Sequence, residues 1–356
     1  MNDFKSNVKF FIDNSKFFFQ DSSLDNIDNK HQKIIKKAYK SINNDFDINK
    51  VRNWEGQSDQ TNIFKSNYVI DFILGIIEIK NSFISKFLNK LRFKTLSFID
   101  IFFEISLMHD DIEILENVGG KKLLEDNPQN KTMGSINYKL IKGYSVSHRW
   151  IRYLYILNQI LSKNLINGND IWVDIGSFYG GLQGLVKKYK PMSRIVMVDF
   201  HHQLLRSYIY LKEMYPDAQH ILPNSIENYS SFSDLPDGCI VYVPVNEFFK
   251  ISDYKCDLIS NFYSFGEMKR EYFKNYYSSN LLKSSKHIYL VNRFISSPFF
   301  EKTYDSDLTY NDYILEKRKP IHFDIFPMGH YLIIRRNLLN RNFYRNISSS
   351  YFEIIY

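Results

Sequence analysis

The 356-residue sequence has little cysteine and no long hydrophobic run. Its two cysteines, Cys239 and Cys256, are too few for a disulfide framework and lack a metal-binding spacing, which favours a reducing compartment. The longest apolar stretch, residues 68–79, is too short to span a bilayer and contains two acidic residues. Polar residues interrupt the amino-terminal apolar run, unlike a signal peptide. These absences predict a soluble, cytoplasmic protein.

The composition is instead rich in aromatic residues, with 30 phenylalanines and 26 tyrosines. A hydrophobic fraction of 44% can build a sizeable core and is unlike the composition of a disordered chain. The length predicts one large domain with a second, smaller one. The net charge of +7 is compatible with an anionic substrate, a membrane surface or nucleic acid, and does not discriminate among them.

The most informative pattern in the chain is the stretch IWVDIGSFYGGLQGLVKKYKPMSRIVMVDF. An apolar run over 171–175 predicts a buried parallel strand, and a glycine-containing turn follows at 176–181. Apolar residues recur at helical spacing over 182–189, and a second apolar strand over 194–198 ends at Asp199. The pattern therefore predicts a strand–turn–helix–strand unit with a carboxylate at the end of its second strand.

A unit of this kind binds a nucleoside-like cofactor at the carboxyl ends of its strands, and Asp199 suits the two hydroxyls of a ribose. A dinucleotide would need a glycine at Phe178, because the backbone must approach a pyrophosphate. Asp174, two residues before the first glycine, would repel a pyrophosphate but suits a cationic amino acid. S-adenosylmethionine carries an ammonium and a sulfonium and no phosphate, so we expect this cofactor. The alternative is a glycine turn of an unrelated α/β domain, with Asp174 at a solvated strand end.

Further strands are predicted by apolar runs and turn signals at 220–223, 239–245, 257–262, 287–291, 321–326 and 331–335. Of the first two, the second is the better candidate for the third strand of the sheet. The last two are expected to form an antiparallel hairpin around residues 327–330. A helix over 143–163, with Ser147 as its N-cap, precedes the first strand. Together these elements predict an α/β fold with helices on both faces of the sheet.

The amino-terminal part, residues 1–142, is predicted to be a separate, mainly helical domain, and residues 143–356 the α/β domain. Between Lys80 and Lys94 there are five basic residues and no acidic one. Such a helix could contact an anionic membrane, although we favour a helix packed on its own domain with a solvated basic face. Acceptor binding and homo-oligomer formation are candidate roles of this domain.

Three stretches then carry a recognisable pattern: VDIGSFYGGL, then VMVDF with HHQLLRSYIYLKEMYPD, then DLISNFYSFGEM with HIYLVNRF downstream. Together they resemble a bacterial family of sugar O-methyltransferases over about residues 171–295. The resemblance implies a Rossmann-like class I methyltransferase sheet, S-adenosylmethionine as cofactor, and methyl transfer to a sugar hydroxyl in polysaccharide or glycan biosynthesis. The chain departs from the family at Ser177-Phe178, where more glycine is usual, and at His201-His202, where a Pro-Glu pair is usual.

The expected cofactor contacts belong to the glycine turn and to the ends of the neighbouring strands. They are Asp174, Gly176, Ser177, Phe178, Tyr179, Gly180, Asp199, Phe200, Asn246 and Asn261. The helix before the first strand often covers the cofactor in such folds, which makes Tyr144, His148 and Arg149 near-site candidates.

Methyl transfer to a hydroxyl calls for a positioned base. Glu267, after the fourth central strand, is the first candidate and His202 the second, with His330 a further rival because imidazole titrates near neutral pH. The expected acceptor contacts are Ser264, Arg293, His330 and His148. Arg293 would pair with a phosphate or carboxylate if the acceptor is anionic. No cluster of aspartate and histidine at ligand spacing predicts a metal.

Several of these residues have plainer alternatives. Glu267 could stabilise the start of the next helix, His148 could face solvent, and Arg293 could form a surface ion pair. Three other functions also stay open. An oxidoreductase acting on nucleotide sugars or using NAD would need the missing glycine and a Tyr-x-x-x-Lys base. A nucleic-acid methyltransferase usually has two prolines in the loop at 261–264, so no nucleic-acid partner is expected. A binding module that kept the fold without catalysis is the third.

Overall fold

The computed structural model describes residues 2–16, 105, 107–129, 138–295, 308–328 and 351–356. The helices and turns predicted between residues 17 and 104, including the basic segment 80–94, lie outside the described residues. So do His330 and the predicted strand 331–335. Among the described helices, none combines the length and the apolar character that crossing a bilayer requires.

The helices and strands, in chain order, are α1 (Asn2–Asp13), α2 (Lys121–Asp126), β1 (Lys139–Ile141), β2 (Tyr144–Val146), α3 (His148–Ser162), β3 (Ile171–Ile175), α4 (Gly181–Tyr189), β4 (Arg194–Asp199), α5 (His201–Met214), β5 (His220–Ile221), β6 (Ile240–Pro244), β7 (Leu258–Phe262), α6 (Arg270–Tyr277), α7 (Asn280–Ser284), β8 (His287–Arg293), β9 (His322–Ile325) and β10 (Tyr351–Ile355). Residues 107–117 are also helical.

Eight strands form one mixed sheet in the order β5-β6-β4-β3-β7-β8-β10-β9. Strands β3 to β8 are parallel, whereas β10 is antiparallel to both of its neighbours. The strand order reverses at β3, which has β4 on one side and β7 on the other, and ligands bind at the carboxyl edge of such a switch point. This topology confirms the predicted Rossmann-like class I methyltransferase fold.

Helices cover both faces of the sheet. Side chains alternate along each strand, so Trp172 joins the cluster beneath α1, α3, α4 and α5, while Val173 and Ile175 join the cluster beneath α6 and α7. Burial on both faces explains why the central strands are continuous apolar runs. The carboxyl ends of these strands are therefore held by two well-packed layers.

The helix predicted over 143–163 begins later than expected. Residues before it form the β1–β2 hairpin, whose turn residues Lys142 and Gly143 have φ values of +50° and +84°. Positive φ at both positions suits the twist of a two-residue hairpin. Strands of three residues leave too little alternation to be recognised in the sequence. Ser147 is the N-cap as predicted, and its hydroxyl accepts a hydrogen bond from the Trp150 N–H at 3.3 Å.

The predicted closing hairpin stays a prediction, because its second strand, residues 331–335, lies outside the described residues. The structure pairs β9 with β10, the last strand of the described chain, and β10 lies between β8 and β9. The preference for residues 239–245 as the third strand is confirmed, because β6 pairs with β4 and β5 forms the edge.

The amino-terminal helix α1 packs on α5. The Phe11 ring is buried, and its centre lies 5.3 Å from that of Tyr208 and 5.8 Å from that of Tyr242. The predicted domain boundary between residues 142 and 143 falls within the turn of the β1–β2 hairpin. That division of the chain stays a prediction.

The docking of α1 can be tested by truncating Phe11. Phe11→Ala should lower the free energy of unfolding by about 3–5 kcal/mol, the usual cost of removing a fully buried aromatic ring. Phe10→Ala is the matched control, because the Phe10 side chain is next in sequence but 55% exposed. This substitution should change the free energy of unfolding by no more than about 0.5 kcal/mol. Urea unfolding measures both values. Equal small losses would mean that α1 does not contribute to this core.

Candidate functional site

The turn after β3 has a backbone that only particular residues tolerate. Gly176 and Gly180 have φ values of +79° and +89°, and the Gly176 N–H donates to the Val198 carbonyl at 2.8 Å. A Cβ atom at Gly176 would lie 2.1 Å from the Ser264 hydroxyl oxygen. Glycine is therefore required at Gly176 both by conformation and by contact with the turn after β7.

Phe178 also has a left-handed backbone, with φ of +57°, which is unusual for an aromatic residue. Its N–H donates to Asp199 Oδ2 at 2.7 Å, and the Ser207 hydroxyl donates to its carbonyl at 2.6 Å. The guanidinium carbons of Arg149 and Arg206 lie 4.2 and 5.1 Å from its ring centre. The benzyl side chain thus stands, firmly held, where a dinucleotide site has a glycine.

Asp199 connects the end of β4 to this turn. Its two oxygens accept the N–H groups of Phe178 and Phe200, each at 2.7 Å. Burial raises the pKa of Asp199 to about 7, and the two backbone donors and the nearby Arg206 act in the opposite direction. Each carboxylate oxygen can accept a further hydrogen bond, so the residue can hold the turn and still receive ribose hydroxyls.

Asp174 is buried, which excludes the alternative that it lies at a solvated strand end. The Ser260 hydroxyl donates to its Oδ1 at 2.5 Å, and the Gln183 amide donates to its Oδ2. Trp172 Nε1 in turn donates to the Ser260 hydroxyl at 2.7 Å. Burial raises the pKa of Asp174 to about 8, and the charge of Asp199 adds to this, whereas the Ser260 and Gln183 hydrogen bonds oppose it. The carboxyl group joins β3, β7 and α4.

Asn261 organises the opposite side of the switch point. Its amide nitrogen donates to the Ile175 carbonyl at 2.7 Å and to the Ser264 hydroxyl at 2.5 Å. Its oxygen accepts from the Phe265 N–H at 2.9 Å and from Asn292 Nδ2 at 3.1 Å. Asn261 and Ser264 therefore hold the β7 turn against the β3 turn. Their predicted ligand contacts stay predictions.

Three buried polar atoms at the carboxyl edge have no hydrogen-bond partner among the described residues: Ser177 Oγ, Asn246 Oδ1 and the Tyr263 hydroxyl oxygen. They follow β3, β6 and β7, respectively. Buried polar groups are normally satisfied, so an edge with three unsatisfied ones fits a polar ligand. Two of these residues, Ser177 and Asn246, are predicted cofactor contacts.

The other predicted turn residues differ in placement. The Tyr179 ring points into the core, where its centre lies 6.2 Å from that of Tyr153 and 5.3 Å from that of Tyr210. Phe200 is partly exposed and stacks on His202 at 6.0 Å. Phe200 is thus better placed than Tyr179 to meet a ligand.

The predicted acceptor and catalytic residues that the structure describes lie in different environments. His148 is buried and its Nδ1 lies 3.2 Å from Asp111 Oδ2, so it does not face solvent. Arg293 is also buried and donates from Nε to the Tyr351 hydroxyl at 3.1 Å, which excludes a surface ion pair. His202 is buried within α5. Glu267 ends a short helical turn, Phe265–Glu267, directly after β7, and its side chain lies outside the described structure.

Two residues that the sequence patterns do not single out lie near the edge. Arg152 is three residues after Arg149, which places both on one side of α3, and that spacing is the signal in the sequence. Tyr263 directly follows β7 and has φ of +71°. By contrast, the near-site candidate Tyr144 donates its hydroxyl to Glu116 Oε1 at 2.9 Å. Within the described ranges, no group of three or more side chains could hold a metal ion.

No protein-family profile and no curated protein matches the chain. Some solved methyltransferase structures are similar to it. Geranyl diphosphate C-methyltransferase of Streptomyces coelicolor A3(2) is 13% identical, covers 58% of this chain and 80% of its own, and has a TM-score of 0.37. A phosphoethanolamine N-methyltransferase of Haemonchus contortus is 10% identical, covers 58% and 52%, and has a TM-score of 0.35. Similarity this distant adds no argument about function, and the fold assignment rests on the strand order.

The raised pKa of Asp174 predicts a pH-dependent stability. The folded protein holds a proton that the unfolded chain, with a carboxyl pKa of about 3.9, releases. Stability should therefore fall as pH rises from about 4 to about 8, the folded-state pKa. Between pH 5 and 8 the parent protein should lose more free energy of unfolding than Asp174→Asn does, by on the order of 1–3 kcal/mol. Urea unfolding at each pH measures both proteins, and parallel profiles would mean that Asp174 is ionised throughout.

Proposed function

We propose that the chain is an S-adenosylmethionine-dependent O-methyltransferase that acts on a sugar hydroxyl. The observation that carries the proposal is the left-handed turn at Phe178, closed by its N–H bond to Asp199. The turn keeps the carboxylate of β4 next to the glycine turn of β3. This is the pairing that receives an adenosine ribose at the switch point of a Rossmann-like sheet.

The same turn argues against NAD. A dinucleotide pyrophosphate binds close to a glycine backbone at a helix amino terminus. Here the corresponding residue is Phe178, whose ring contacts the guanidinium groups of Arg149 and Arg206. The N–H groups of Phe178 and Phe200 already donate to the buried carboxyl group of Asp199, so these backbone donors are not available to a pyrophosphate. An adenosyl sulfonium has neither conflict.

The polar groups present fit S-adenosylmethionine, which would supply an activated methyl group. Asp199 would receive the ribose, Asn246 at the end of β6 would meet the adenine edge, and Ser177 would donate from the turn. Asp174 would act indirectly, because its oxygens are already engaged by Ser260 and Gln183. Phe200, partly exposed beside Asp199, would cover one face of the base.

A sugar hydroxyl needs a base to take its proton as the oxygen attacks. Glu267 is the proposed base, because it follows β7, on the side of the sheet away from Asp199 and Asn246. His202 is the weaker candidate, because it stacks beside Phe200 on the cofactor side. Sugar specificity, a place in glycan biosynthesis, cytoplasmic location, homo-oligomer formation and membrane contact rest on the sequence and are part of the proposal.

Ligand binding separates this proposal from an NAD-dependent oxidoreductase. By calorimetry, S-adenosylhomocysteine should bind and NADH should not. Asp199→Asn should weaken S-adenosylhomocysteine binding at least 10-fold, a loss of about 1.4 kcal/mol or more, because the amide cannot accept from both backbone N–H groups. Asp217→Asn, an exposed aspartate after α5, is the control and should bind like the parent protein. Binding of NADH alone would overturn the assignment.

The base can be tested once a sugar acceptor is found with radiolabelled S-adenosylmethionine. Glu267→Gln should lower kcat by about 10²–10⁴-fold with little change in KM, the usual loss on removing a general base. Glu271→Gln, an exposed residue one turn further along the chain, is the matched control and should retain kcat. An unchanged kcat in Glu267→Gln would transfer the role to another group. Absence of methyl transfer to any acceptor would favour a binding module.

A further inference from the structure

Arg152 is a buried arginine with no hydrogen-bond or ion-pair partner among the residues that the structure describes. It lies on α3 with only 8% of its surface exposed, and its Nε has no acceptor among those residues. No ion pair of this residue occurs in the described parts of the chain, and its guanidinium carbon lies 5.2 Å from the centre of the Tyr263 ring. Burying a charge without a counter-charge is costly. A bound ligand that supplies hydrogen-bond acceptors to the guanidinium would offset the cost of burying this charge.

Tyr263 presents a second unsatisfied donor beside it. Its hydroxyl is buried and has no partner among the described residues. The ring is fixed edge-on by Tyr351 at 5.1 Å and by Phe326 at 5.9 Å. The left-handed backbone of Tyr263, at the end of β7, is a strained conformation of the kind that concentrates at functional sites.

The position of Arg152 and Tyr263 relative to the sheet indicates that they would contact the acceptor and not the ribose or adenine of the cofactor. Tyr263 follows β7, and Tyr351 begins β10, so both lie on the opposite side of β3 from Asp199 and Asn246. Arg293, the last residue of β8, donates to the Tyr351 hydroxyl and adds a buried positive charge behind the pair. The ribose and adenine end of a cofactor would lie across β4 and β6, away from these groups.

We propose that Arg152 and Tyr263 bind a carboxylate or phosphate group of the acceptor, which makes the substrate a uronic acid or a phosphorylated sugar. A guanidinium presents a fork of N–H donors that matches either anion, and the tyrosine hydroxyl donates a further hydrogen bond. This inference rests on the proposed function, since it identifies the class of acceptor for the same site. The carboxylate of the cofactor's amino-acid end is the other source of the same chemistry.

Calorimetry on protein saturated with S-adenosylhomocysteine tests the subsite, with inorganic phosphate, D-glucuronate and D-glucose as probes. Phosphate or glucuronate should bind and glucose should bind at least 10-fold more weakly. Arg152→Met should weaken anion binding at least 10-fold, and Tyr263→Phe, which removes only the hydroxyl, several-fold. Lys255→Gln removes an exposed charge before β7, at the opposite edge of the sheet, and should change nothing. Equal anion binding by the parent and Arg152→Met would overturn the proposal.

The affinity for S-adenosylhomocysteine itself distinguishes the two sources of the anion. It should be the same in Arg152→Met as in the parent protein. A 10-fold or greater loss would assign Arg152 to the cofactor carboxylate and overturn the acceptor assignment. If the parent protein bound phosphate through Arg152 but did not bind S-adenosylhomocysteine, the proposed function would fail while the anion subsite stood.

Thermal unfolding tests whether a loss of anion binding in Arg152→Met comes only from a destabilised fold. Arg152→Met replaces an unpaired buried charge by an apolar side chain of similar length, so its Tm should equal or exceed that of the parent. Arg152→Lys should retain part of the anion affinity, because it keeps the charge but loses the fork. A Tm lowered by several degrees in Arg152→Met would show that the arginine holds the fold together, and would contradict the proposal.

Discussion

The hydrogen bond from the Phe178 N–H to Asp199 is the constraint on which the candidate site depends. It holds an aromatic residue in a left-handed conformation that its side chain would otherwise disfavour. The same carboxylate accepts the N–H of Phe200 at the start of α5. One side chain therefore sets the turn after β3, the end of β4 and the beginning of the next helix. Loss of that carboxylate would release all three at once.

Electrostatics divide the carboxyl edge of the sheet into two halves. Around β3 and β4, burial leaves Asp174 and Asp199 with raised pKa values, so a cationic group nearby would favour their ionised forms. Around β7, β8 and β10 lie the buried arginines Arg152 and Arg293, while the buried Glu353 of β10 accepts hydrogen bonds from the hydroxyls of Tyr155 and Tyr289. A cationic cofactor on one half and an anionic acceptor on the other would each meet charges of the opposite sign.

Helix α3 connects these halves. Its first two turns carry Arg149, which packs on Phe178 of the glycine turn, and Arg152, which packs on Tyr263 of the β7 turn. Tyr155, on the next turn, donates its hydroxyl to the buried Glu353 of β10 at 2.8 Å. The helix before the first central strand is thus fixed against the turns after β3 and β7 and against β10.

Local sequence was sufficient to predict the β3–turn–α4–β4 unit, the carboxylate of Asp199 and the third strand, because strand and helix periodicity and glycine turns are properties of neighbouring residues. Those same patterns could not predict that β9 pairs with β10, because the two strands are far apart in sequence and meet only in the folded sheet. Nor could they show that Asp174 and Asn261 bind other turns of the chain, or that His148 and Arg293 are buried. The environment of a polar side chain depends on residues far away in sequence. For that reason only the folded structure brought Arg152 and Tyr263 together.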